Sequence, residues 1–471
     1  MHSLLKKILW VILAFSLVCC EKEQMATGNI PWHFNKSKPP VARAGNDTAI
    51  VFPKDYIVLD GSASSDPEGS LLAYSWSKVR GPSDVSFSNH RGVKTEVNSL
   101  KEGIYHFVLT VTDEHKLTGK DTVAVTVNRV TCESRPFIYA RLIPVGKFPR
   151  ARSNMLCATA NNKILFAGGA NDEDRVDIYD INTGTWTLAG LSREWFGRRY
   201  GMAVASVGNK VLFAGGGEPI GGDGSALVDI YDAVTNTWTI AFLSQGRSGL
   251  AAVTWNDKVF FAGGGHISDK DPYPWINSRV VDIYDESSNT WTTSSLSEGR
   301  SGLQGFSAGD KIYFSGGIVY PGVSGRVDIY DAINNSWSTD EMKIKRFNFT
   351  TLFADNKIFW AGGNDWSGWT NNVEIRDLDS GISKIECLSP RVQPKSAIKD
   401  DNIIFFTSSF AEDITVDDQF DIYNITTGTW FIGLLPDQLV GAAVISVNNH
   451  IYVAGGWLNK VLSDQLWKLE F

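Results

Sequence analysis

Apolar and polar residues alternate in short runs along most of the chain, and after residue 137 the runs repeat. The phrase Val-Asp-Ile-Tyr-Asp occurs four times, and a weaker version follows at Phe420–Asn424. Each full copy lies between a Phe-Ala/Ser-Gly-Gly run and a Trp. The tryptophans after the five copies are Trp186, Trp238, Trp291, Trp337 and Trp430. Self-similarity at a period of roughly fifty residues predicts a repeat architecture for two thirds of the chain.

One unit shows which elements this pattern predicts. Arg247–Trp255 is small and apolar and predicts a strand that packs close to its neighbours. Val259–Ala262 is a second apolar strand, and it ends in Gly263–Gly265, where the backbone turns sharply or no Cβ is tolerated. Val280–Tyr284 alternates and is β-branched, and Thr290–Thr293 is a short outer strand. Four antiparallel strands of this kind form one propeller blade.

Seven such units can be counted between residues 137 and 471. Their first strands begin at Arg152, Arg199, Arg247, Arg300, Arg346, Arg391 and Gln438. The glycine pair recurs at Gly168, Gly215, Gly263, Gly316, Gly362 and Gly455, and the sixth unit has Thr407-Ser-Ser instead. The seventh unit has only three strands, and residues 137–142 are expected to supply its outer strand, which leaves no open edge. We therefore expect an all-β fold with a seven-bladed β-propeller over residues 137–471.

These units resemble the kelch repeat. The matching features are the glycine pair, the Tyr of Asp-Ile-Tyr-Asp and the Trp that follows it. The resemblance implies a propeller of the galactose-oxidase-like central domain type. Two segments of the chain depart from it, because Glu374–Asp377 lacks the Tyr and Ile382–Ile385 lacks the Trp. We still expect blades there, because the strand pattern continues in register.

Residues 39–128 show a different pattern, with short alternating strands separated by turn clusters. This pattern predicts a β-sandwich. The motifs resemble a PKD domain, which is an immunoglobulin-like module that serves mostly as a spacer or adhesion element. They are Asp60-Gly-Ser, Ser65-Asp-Pro, Tyr74-Ser-Trp76 and Val111-Thr-Asp113. Asp60, Asp66 and Asp113 could serve as calcium ligands, but we favour bonds to backbone amides within their own turns.

The N-terminus predicts a targeting segment. Lys6-Lys7 precede an apolar run, Ile8–Val18, which is too short to span a bilayer comfortably. The run ends at Cys19-Cys20, and the segment resembles the lipobox of bacterial surface lipoproteins, with Cys20 as the acylated residue. This implies a signal peptide over residues 1–19, a tether over 20–38, and a lipid-anchored protein on the surface of a bacterial outer membrane. The alternative is a plain secretory signal.

Three cysteines remain after this segment, namely Cys132, Cys157 and Cys387. We favour three buried thiols over a Cys132–Cys157 bridge. The net charge is −8, and no basic run exceeds two residues, which argues against a nucleic-acid partner. We expect a monomer.

Arginine begins the first strand in six of the seven units, and this regularity suggests a binding site. If the units superpose, the six guanidinium groups ring one mouth of the central channel, where they would favour an anionic ligand. The alternative for each arginine is a pairing that only buttresses its blade. We favour the ligand-binding interpretation for the ring as a whole. Its members are Arg152, Arg199, Arg247, Arg300, Arg346 and Arg391.

Aromatic residues are enriched in loops that are expected on the same face. They are Tyr273, Trp275, Trp366 and Trp369. Flat apolar faces beside Asp, Asn and Arg suit a sugar, and packing between long loops is an equally good alternative.

Enzymatic motifs are scarce. A copper oxidase site would need at least two histidines in the propeller, and His450, one of the two there, is expected on the opposite face. No nucleophile elbow, P-loop or zinc-binding helix motif occurs. We therefore expect a non-enzymatic binding protein without a cofactor, which recognises a glycan or an acidic ligand. The alternatives are a carbohydrate-active enzyme, such as a sialic-acid epimerase or lyase, and a protein-interaction scaffold.

Overall fold

A computed structural model describes residues 37–51, 54–101, 103–128, 132, 135–170, 174–193, 199–217, 224–267, 275–389, 394–406 and 418–471. These ranges contain strands and turns and no helix, so the predicted all-β class is confirmed for them. It follows that no helix in the described ranges is long and apolar enough to cross a membrane. The chain divides into two compact units. The second comprises Thr126–Phe471 with the short segments Ala49–Asp55 and Leu100–Gly103, and the first comprises the rest.

The N-terminal part forms two antiparallel sheets. Its strands are β1 (Thr48–Val51), β2 (Ile57–Asp60), β3 (Ala73–Arg80), β4 (Ser86–Phe87), β5 (Lys94–Asn98), β6 (Gly103–Thr112) and β7 (Thr118–Asn128). One sheet has the order β1-β7-β6-β3 and the other β2-β5-β4. Alternate residues of β6 are buried, among them Tyr105, Phe107 and Leu109, as the period-two pattern predicts. Trp76 is buried, and its indole Nε1 donates to the carbonyl of Gly92 at 3.1 Å.

The second unit begins with two short strands and continues, over its described residues, as seven main sheets. The short strands are β8 (Phe137–Tyr139) and β9 (Arg141–Lys147). Sheet 1 contains β10 (Leu156–Ala160), β11 (Lys163–Ala167), β12 (Arg175–Asp180) and β13 (Trp186–Gly190). Sheet 2 contains β14 (Ala203–Val207), β15 (Lys210–Ala214), β16 (Leu227–Asp232) and β17 (Thr237–Phe242). Sheet 3 contains β18 (Ser248–Trp255), β19 (Lys258–Ile267), β20 (Trp275–Asn277), β21 (Val280–Asp285) and β22 (Thr290–Ser295).

The remaining sheets follow the same plan. Sheet 4 contains β23 (Gln304–Ala308), β24 (Lys311–Ser315), β27 (Arg326–Asp331) and β28 (Ser336–Glu341), with a hairpin of β25 (Ile318–Val319) and β26 (Gly322–Val323) in its loop. Sheet 5 contains β29 (Thr350–Ala354), β30 (Lys357–Ala361), β31 (Asn372–Asp377) and β32 (Ser383–Cys387). Sheet 6 contains β33 (Lys395–Lys399), β34 (Asn402–Phe406), β35 (Gln419–Asn424) and β36 (Thr429–Leu434). Sheet 7 contains β38 (Ala443–Val447), β39 (His450–Ala454) and β42 (Gln465–Glu470), beside a small sheet of β37 (Leu439–Val440), β40 (Trp457–Leu458) and β41 (Val461–Leu462).

Neighbouring sheets share buried apolar clusters. Six clusters join each sheet to the next in chain order, from sheet 1 to sheet 7. A seventh cluster joins sheet 7 to sheet 1, and there Tyr452 and Leu466 pack with Ile164 and Phe166. The burial of apolar surface between the sheets is therefore continuous along this part of the chain, and it also connects the last sheet to the first.

The outer strand of sheet 7 comes from the start of the unit, at a position that differs from the prediction. Arg141–Lys147 pairs antiparallel with β42, whereas Phe137–Tyr139 pairs in parallel with the outer strand of sheet 6. The prediction of residues 137–142 as the closing strand is therefore corrected. The physical reason is that the outer edge of sheet 6 offers backbone groups of its own, and Ala140 N–H still donates to its Leu434 carbonyl at 2.8 Å.

The cysteine assignment also needs correction. Cys132 forms a disulfide with Cys387, with the two Cα atoms 5.3 Å apart, so both the three free thiols and the Cys132–Cys157 bridge are wrong. Arg135 adds to this attachment of the linker, because its guanidinium lies 4.3 Å from the Trp430 ring centre and pairs with Asp421 at 2.7 Å. The remaining thiol, Cys157, is partly buried, and burial raises its pKa to about 11.

A truncation tests the role of the closing strand. A fragment of residues 148–471 should unfold at a much lower temperature than one of residues 130–471, because its seventh sheet loses the partner of β42 and exposes an edge. A fragment of residues 140–471 is the control, since it keeps β9 and loses β8 and the disulfide. Equal melting temperatures for the 148–471 and 140–471 fragments would show that β9 is not needed for the fold.

Candidate functional site

The arginines at the heads of the first strands lie inside the protein. Arg152, Arg199, Arg247, Arg300 and Arg346 are at most 3% exposed. In each, one guanidinium nitrogen donates to the carbonyl of the first glycine of the pair in its own sheet, at 2.7–2.8 Å. The guanidinium therefore replaces the backbone partners that the sharp turn leaves without hydrogen bonds.

Four of these arginines also form ion pairs with the aspartate of the Val-Asp-Ile-Tyr phrase. The pairs are Arg152–Asp177, Arg199–Asp229, Arg247–Asp282 and Arg300–Asp328, and both partners are buried. In sheet 5 the partner is the Asn372 Oδ1 atom, at 3.0 Å from Arg346. Burial lowers the pKa of Arg247 and Arg300, against the opposing effect of their aspartates, and it lowers the pKa of Arg346 to about 10. All three stay protonated at neutral pH.

The same arginines connect neighbouring sheets through their backbone. The second glycine of a pair donates its N–H to the carbonyl of the arginine that begins the next sheet, at 2.8–2.9 Å, and Gly456 of sheet 7 bonds in this way to Arg152 of sheet 1. The aspartates contribute a second link, because Asp282 Oδ1 accepts the N–H of Ser244 in the connection from the preceding sheet at 2.9 Å. The buried pairs thus hold each sheet and its neighbour in place.

These contacts correct the prediction of an arginine ring that binds a ligand. The guanidinium groups of the five described arginines bond to carbonyls and carboxamide or carboxylate groups of their own sheets and are shielded from solvent, so they cannot meet an anion at a channel mouth. The sixth member, Arg391, lies outside the described residues. The error arose because spacing along the chain places a residue at the head of a strand without indicating whether it faces inward or outward.

Three of the four predicted aromatic residues are exposed on successive loops. Trp275 is 39% exposed, Trp366 56% and Trp369 42%, and Tyr273 lies outside the described residues. Tyr320, in the hairpin of sheet 4, is 60% exposed and lies between the loops of sheets 3 and 5. We call Trp275, Tyr320, Trp366 and Trp369 the aromatic arc. Its members are large apolar side chains at positions where burial would be expected, so their exposure indicates a binding surface.

Backbone and amide hydrogen bonds hold the arc. Trp275 stands on β20, and its indole Nε1 donates to Asn277 Oδ1 at 3.0 Å. Asn277 Nδ2 donates in turn to the carbonyl of Ile318, also at 3.0 Å, which ties the loop of sheet 3 to the hairpin that carries Tyr320. In sheet 5 the Trp366 N–H donates to Asn364 Oδ1 at 2.6 Å. The exposed rings therefore stand on bonded loops.

A cleft of about 410 Å³ lies beside Tyr320. Its charged lining residues are Glu298, Arg326, Glu341 and Lys345. Glu298 Oε2 accepts a bond from the Ser324 hydroxyl at 3.0 Å, and Arg326 Nε is 3.7 Å from Glu341 Oε2. An aromatic ring beside carboxylates and cations can bind the CH groups and hydroxyls of a polar ligand together. Sequence reasoning had missed these four residues, although the Tyr-Pro pair in a loop beside them was a usable signal.

The aspartates of the first unit act within turns. Asp60 Oδ1 accepts the Ser62 N–H at 2.9 Å, and Asp66 Oδ1 accepts the Glu68 N–H at the same distance. Asp113 Oδ1 accepts the Leu117 N–H at 2.8 Å. These are the turn bonds that we favoured over calcium ligation. Within the described ranges, no group of three or more His, Cys, Asp or Glu side chains is placed to hold a metal ion.

Comparison with known proteins supports the domain content. A family profile for the PKD domain of KIAA0319-like proteins matches residues 44–127, and a Kelch motif matches residues 198–241. The chain is similar to the human dyslexia-associated protein KIAA0319, with 36% identity over 141 residues, which are 30% of this chain and 12% of that protein. The mouse homolog is 43% identical over the same length and coverage.

A second kind of relative is the mouse low-density lipoprotein receptor-related protein 11. It is 40% identical over 99 residues, which are 21% of this chain and 20% of that protein. The chain thus matches only a small part of each of these mammalian proteins. The bacterial origin that the N-terminal pattern implies gains no support from them.

The buttress role of the arginines can be tested by stability. Arg247→Ala should lower the free energy of unfolding by about 3–5 kcal/mol, because it leaves the buried carboxylate of Asp282 without its cation. Arg141→Ala is the control, since its pair with Glu470 is exposed and 3.9 Å long, and it should cost less than about 1 kcal/mol. Denaturant unfolding of both variants measures the difference. A stable Arg247→Ala variant would return this arginine to the candidates for ligand binding.

Proposed function

We propose that the second unit is a closed seven-bladed kelch propeller that binds a glycan on the face that carries the aromatic arc. The closed ring is supported by the apolar clusters that join consecutive sheets and by the one between sheets 7 and 1. The backbone bond from Gly456 to Arg152 supports it as well.

The exposure of the aromatic arc beside the cleft at Tyr320 is the observation that carries the binding function. Sugars offer CH-rich faces to aromatic rings and hydroxyl groups to carboxylates, amides and cations. Both kinds of partner are present, with Trp369 and Tyr320 as rings and Glu298 and Arg326 as polar groups. An acidic ligand has less support than the sequence suggested, because the described head-of-strand arginines are buried. Arg326 and Lys345 still make acidic sugars worth testing.

A second candidate, a carbohydrate-active enzyme, is favoured by one observation. Two carboxylates, Glu298 and Glu341, line the same cleft, and glycoside hydrolysis uses a pair of carboxyl groups. Release of product from any glycan that binds would support this candidate, whereas recovery of the intact glycan would support simple binding.

We also propose that the protein is exported and anchored by a lipid at Cys20. The Cys132–Cys387 disulfide supports export, because such bonds persist in oxidising compartments and are rare in the cytosol. Cys20 itself lies outside the described residues. The first unit would then act as a spacer between the anchor and the propeller.

A glycan array probed with residues 130–471 tests the binding function. Once a bound glycan is known, Trp369→Ala and Tyr320→Ala should each weaken it about thirtyfold, since truncating a central aromatic contact costs about 2 kcal/mol. Phe242→Ala is the control, because Phe242 is equally exposed but lies on the outer strand of sheet 2. A glycan that binds all three variants with wild-type affinity would place the site elsewhere, and an array without binding would favour a protein-interaction scaffold.

The anchor has a separate test. Cys20→Ser should move the protein from the membrane fraction to the soluble fraction of the expressing bacterium, because the residue that carries the lipid is lost. Metabolic labelling with a palmitate analogue should mark the wild type only. A Cys20→Ser protein that stays in the membrane fraction would show that another segment attaches it.

A further inference from the structure

The repeat contains a Tyr–Trp pair that fills the space between neighbouring sheets. In the register of the sheets the tyrosine of the third strand lies opposite the tryptophan of the fourth, with ring centres 4.9–5.1 Å apart. The pair packs against the preceding sheet, as Tyr231 and Trp238 do against the core of sheet 1. The five pairs are Tyr179–Trp186, Tyr231–Trp238, Tyr284–Trp291, Tyr330–Trp337 and Tyr423–Trp430.

Sheet 5 has a different pair at this position. Its register sets Arg376 opposite Ser383, in place of the tyrosine and the tryptophan. A cleft of about 680 Å³ lies there between sheets 4 and 5. Its apolar lining includes Val327 and Ile329 of sheet 4 and Ile358 of sheet 5. A volume of this size suits a small ligand or a few residues of a peptide.

Arg376 keeps the cleft open and is itself fully engaged. Its Nε donates to the Ser383 hydroxyl at 2.8 Å and its Nη2 to the Glu341 carbonyl at 2.6 Å, and its Nη1 pairs with Asp340. The guanidinium also lies 5.1 Å from the ring centre of Trp360. Because its donors are taken by protein groups, Arg376 forms a wall of the cleft and is not a receptor for an anion.

The cleft also contains a polar atom that lacks a partner. Trp360 lines it and is fully buried, and its indole Nε1 has no hydrogen-bond partner among the described residues. A buried donor without an acceptor costs free energy, so this atom indicates that an acceptor is supplied from outside the chain.

The charge of the lining is mainly negative. Four aspartates line the cleft against two cations, Lys311 and Arg376, and the second of these is already paired. Backbone bonds from the turn at Asn334 lower the pKa of Asp331, which keeps that carboxylate charged at neutral pH. The four are Asp310, Asp331, Asp340 and Asp379. An apolar floor under carboxylates complements a long cationic side chain, whose methylene stem is apolar and whose head is charged.

We propose that the cleft between sheets 4 and 5 binds a basic peptide segment of a partner protein. A Lys or Arg side chain inserts its stem between Ile329 and Ile358 and places its cationic head among the aspartates. A backbone carbonyl of the segment accepts the free N–H of Trp360. This site is separate from the aromatic arc, because it is lined by the hairpin turns Asp310–Lys311 and Ile333–Asn334 and by strand residues rather than by the loops of the arc.

Binding of defined peptides to the full chain tests this proposal. The probes are fluorescein-labelled hexapeptides in which Lys or Arg alternates with Val, Leu or Tyr, and a matched set has Glu in place of the basic residues. Fluorescence anisotropy should detect binding of the basic set only, with affinity that falls at least tenfold as salt rises from about 50 to about 500 mM. Absence of binding at millimolar peptide, or equal binding of the Glu set, would overturn the proposal.

Two variants locate the site. Arg376→Tyr combined with Ser383→Trp restores the pair of the repeat, fills the cleft and should abolish binding without lowering the melting temperature. Asp310→Asn combined with Asp379→Asn keeps the cleft open and should weaken binding about tenfold, and it decides the question if the first variant does not fold. Asp257→Asn, at the same hairpin position in sheet 3, is the matched control. Wild-type affinity in both double variants would also overturn the proposal.

Discussion

Each described sheet from 1 to 5 depends on one buried arginine at the head of its first strand. An ion pair removed from water is stable only when its other donors and acceptors are also bonded. In Arg247 this condition is met by the carboxylate of Asp282 and the carbonyls of Gly263 and Val280. The main-chain carbonyl of the same arginine accepts the N–H of Gly216 in the preceding sheet. One residue therefore fixes the turn of its own sheet and the position of that sheet beside its neighbour.

This arrangement explains why arginine, glycine and aspartate recur together. Gly263 has a φ of 67°, and a Cβ there would lie 2.5 Å from the carbonyl oxygen of Arg300, so a side chain would push the next sheet away. The aspartate stands between two buried β-branched residues in a strand whose alternation sends it to the side of the guanidinium. Changing one of the three would leave buried groups of the other two without partners.

Local patterns made the strands, the glycine turns and the two kinds of unit predictable from the sequence. Period-two alternation and paired glycines act within a few residues, and the structure follows them. The Cys132–Cys387 bond and the closing strand at Arg141–Lys147 join segments that are far apart in the chain, and neither spacing nor composition indicates them. The burial of the arginines had a signal that was available: Asp177, Asp229, Asp282 and Asp328 recur at a fixed strand position in the units that carry them, which is typical of an internal ion pair.

The departures from the repeat differ in their chemistry, and the difference bears on function. In sheet 7 the tyrosine position holds Leu469, opposite Leu142, and both pack with the apolar cluster shared with sheet 6. In sheet 5 the same positions hold Arg376 and Ser383, which bond to each other and line an open cleft. Loss of packing alone would be met by any apolar side chain of suitable size, as in sheet 7. A bonded polar pair that keeps apolar walls apart costs stability, and proteins retain such a cost chiefly at sites that bind something.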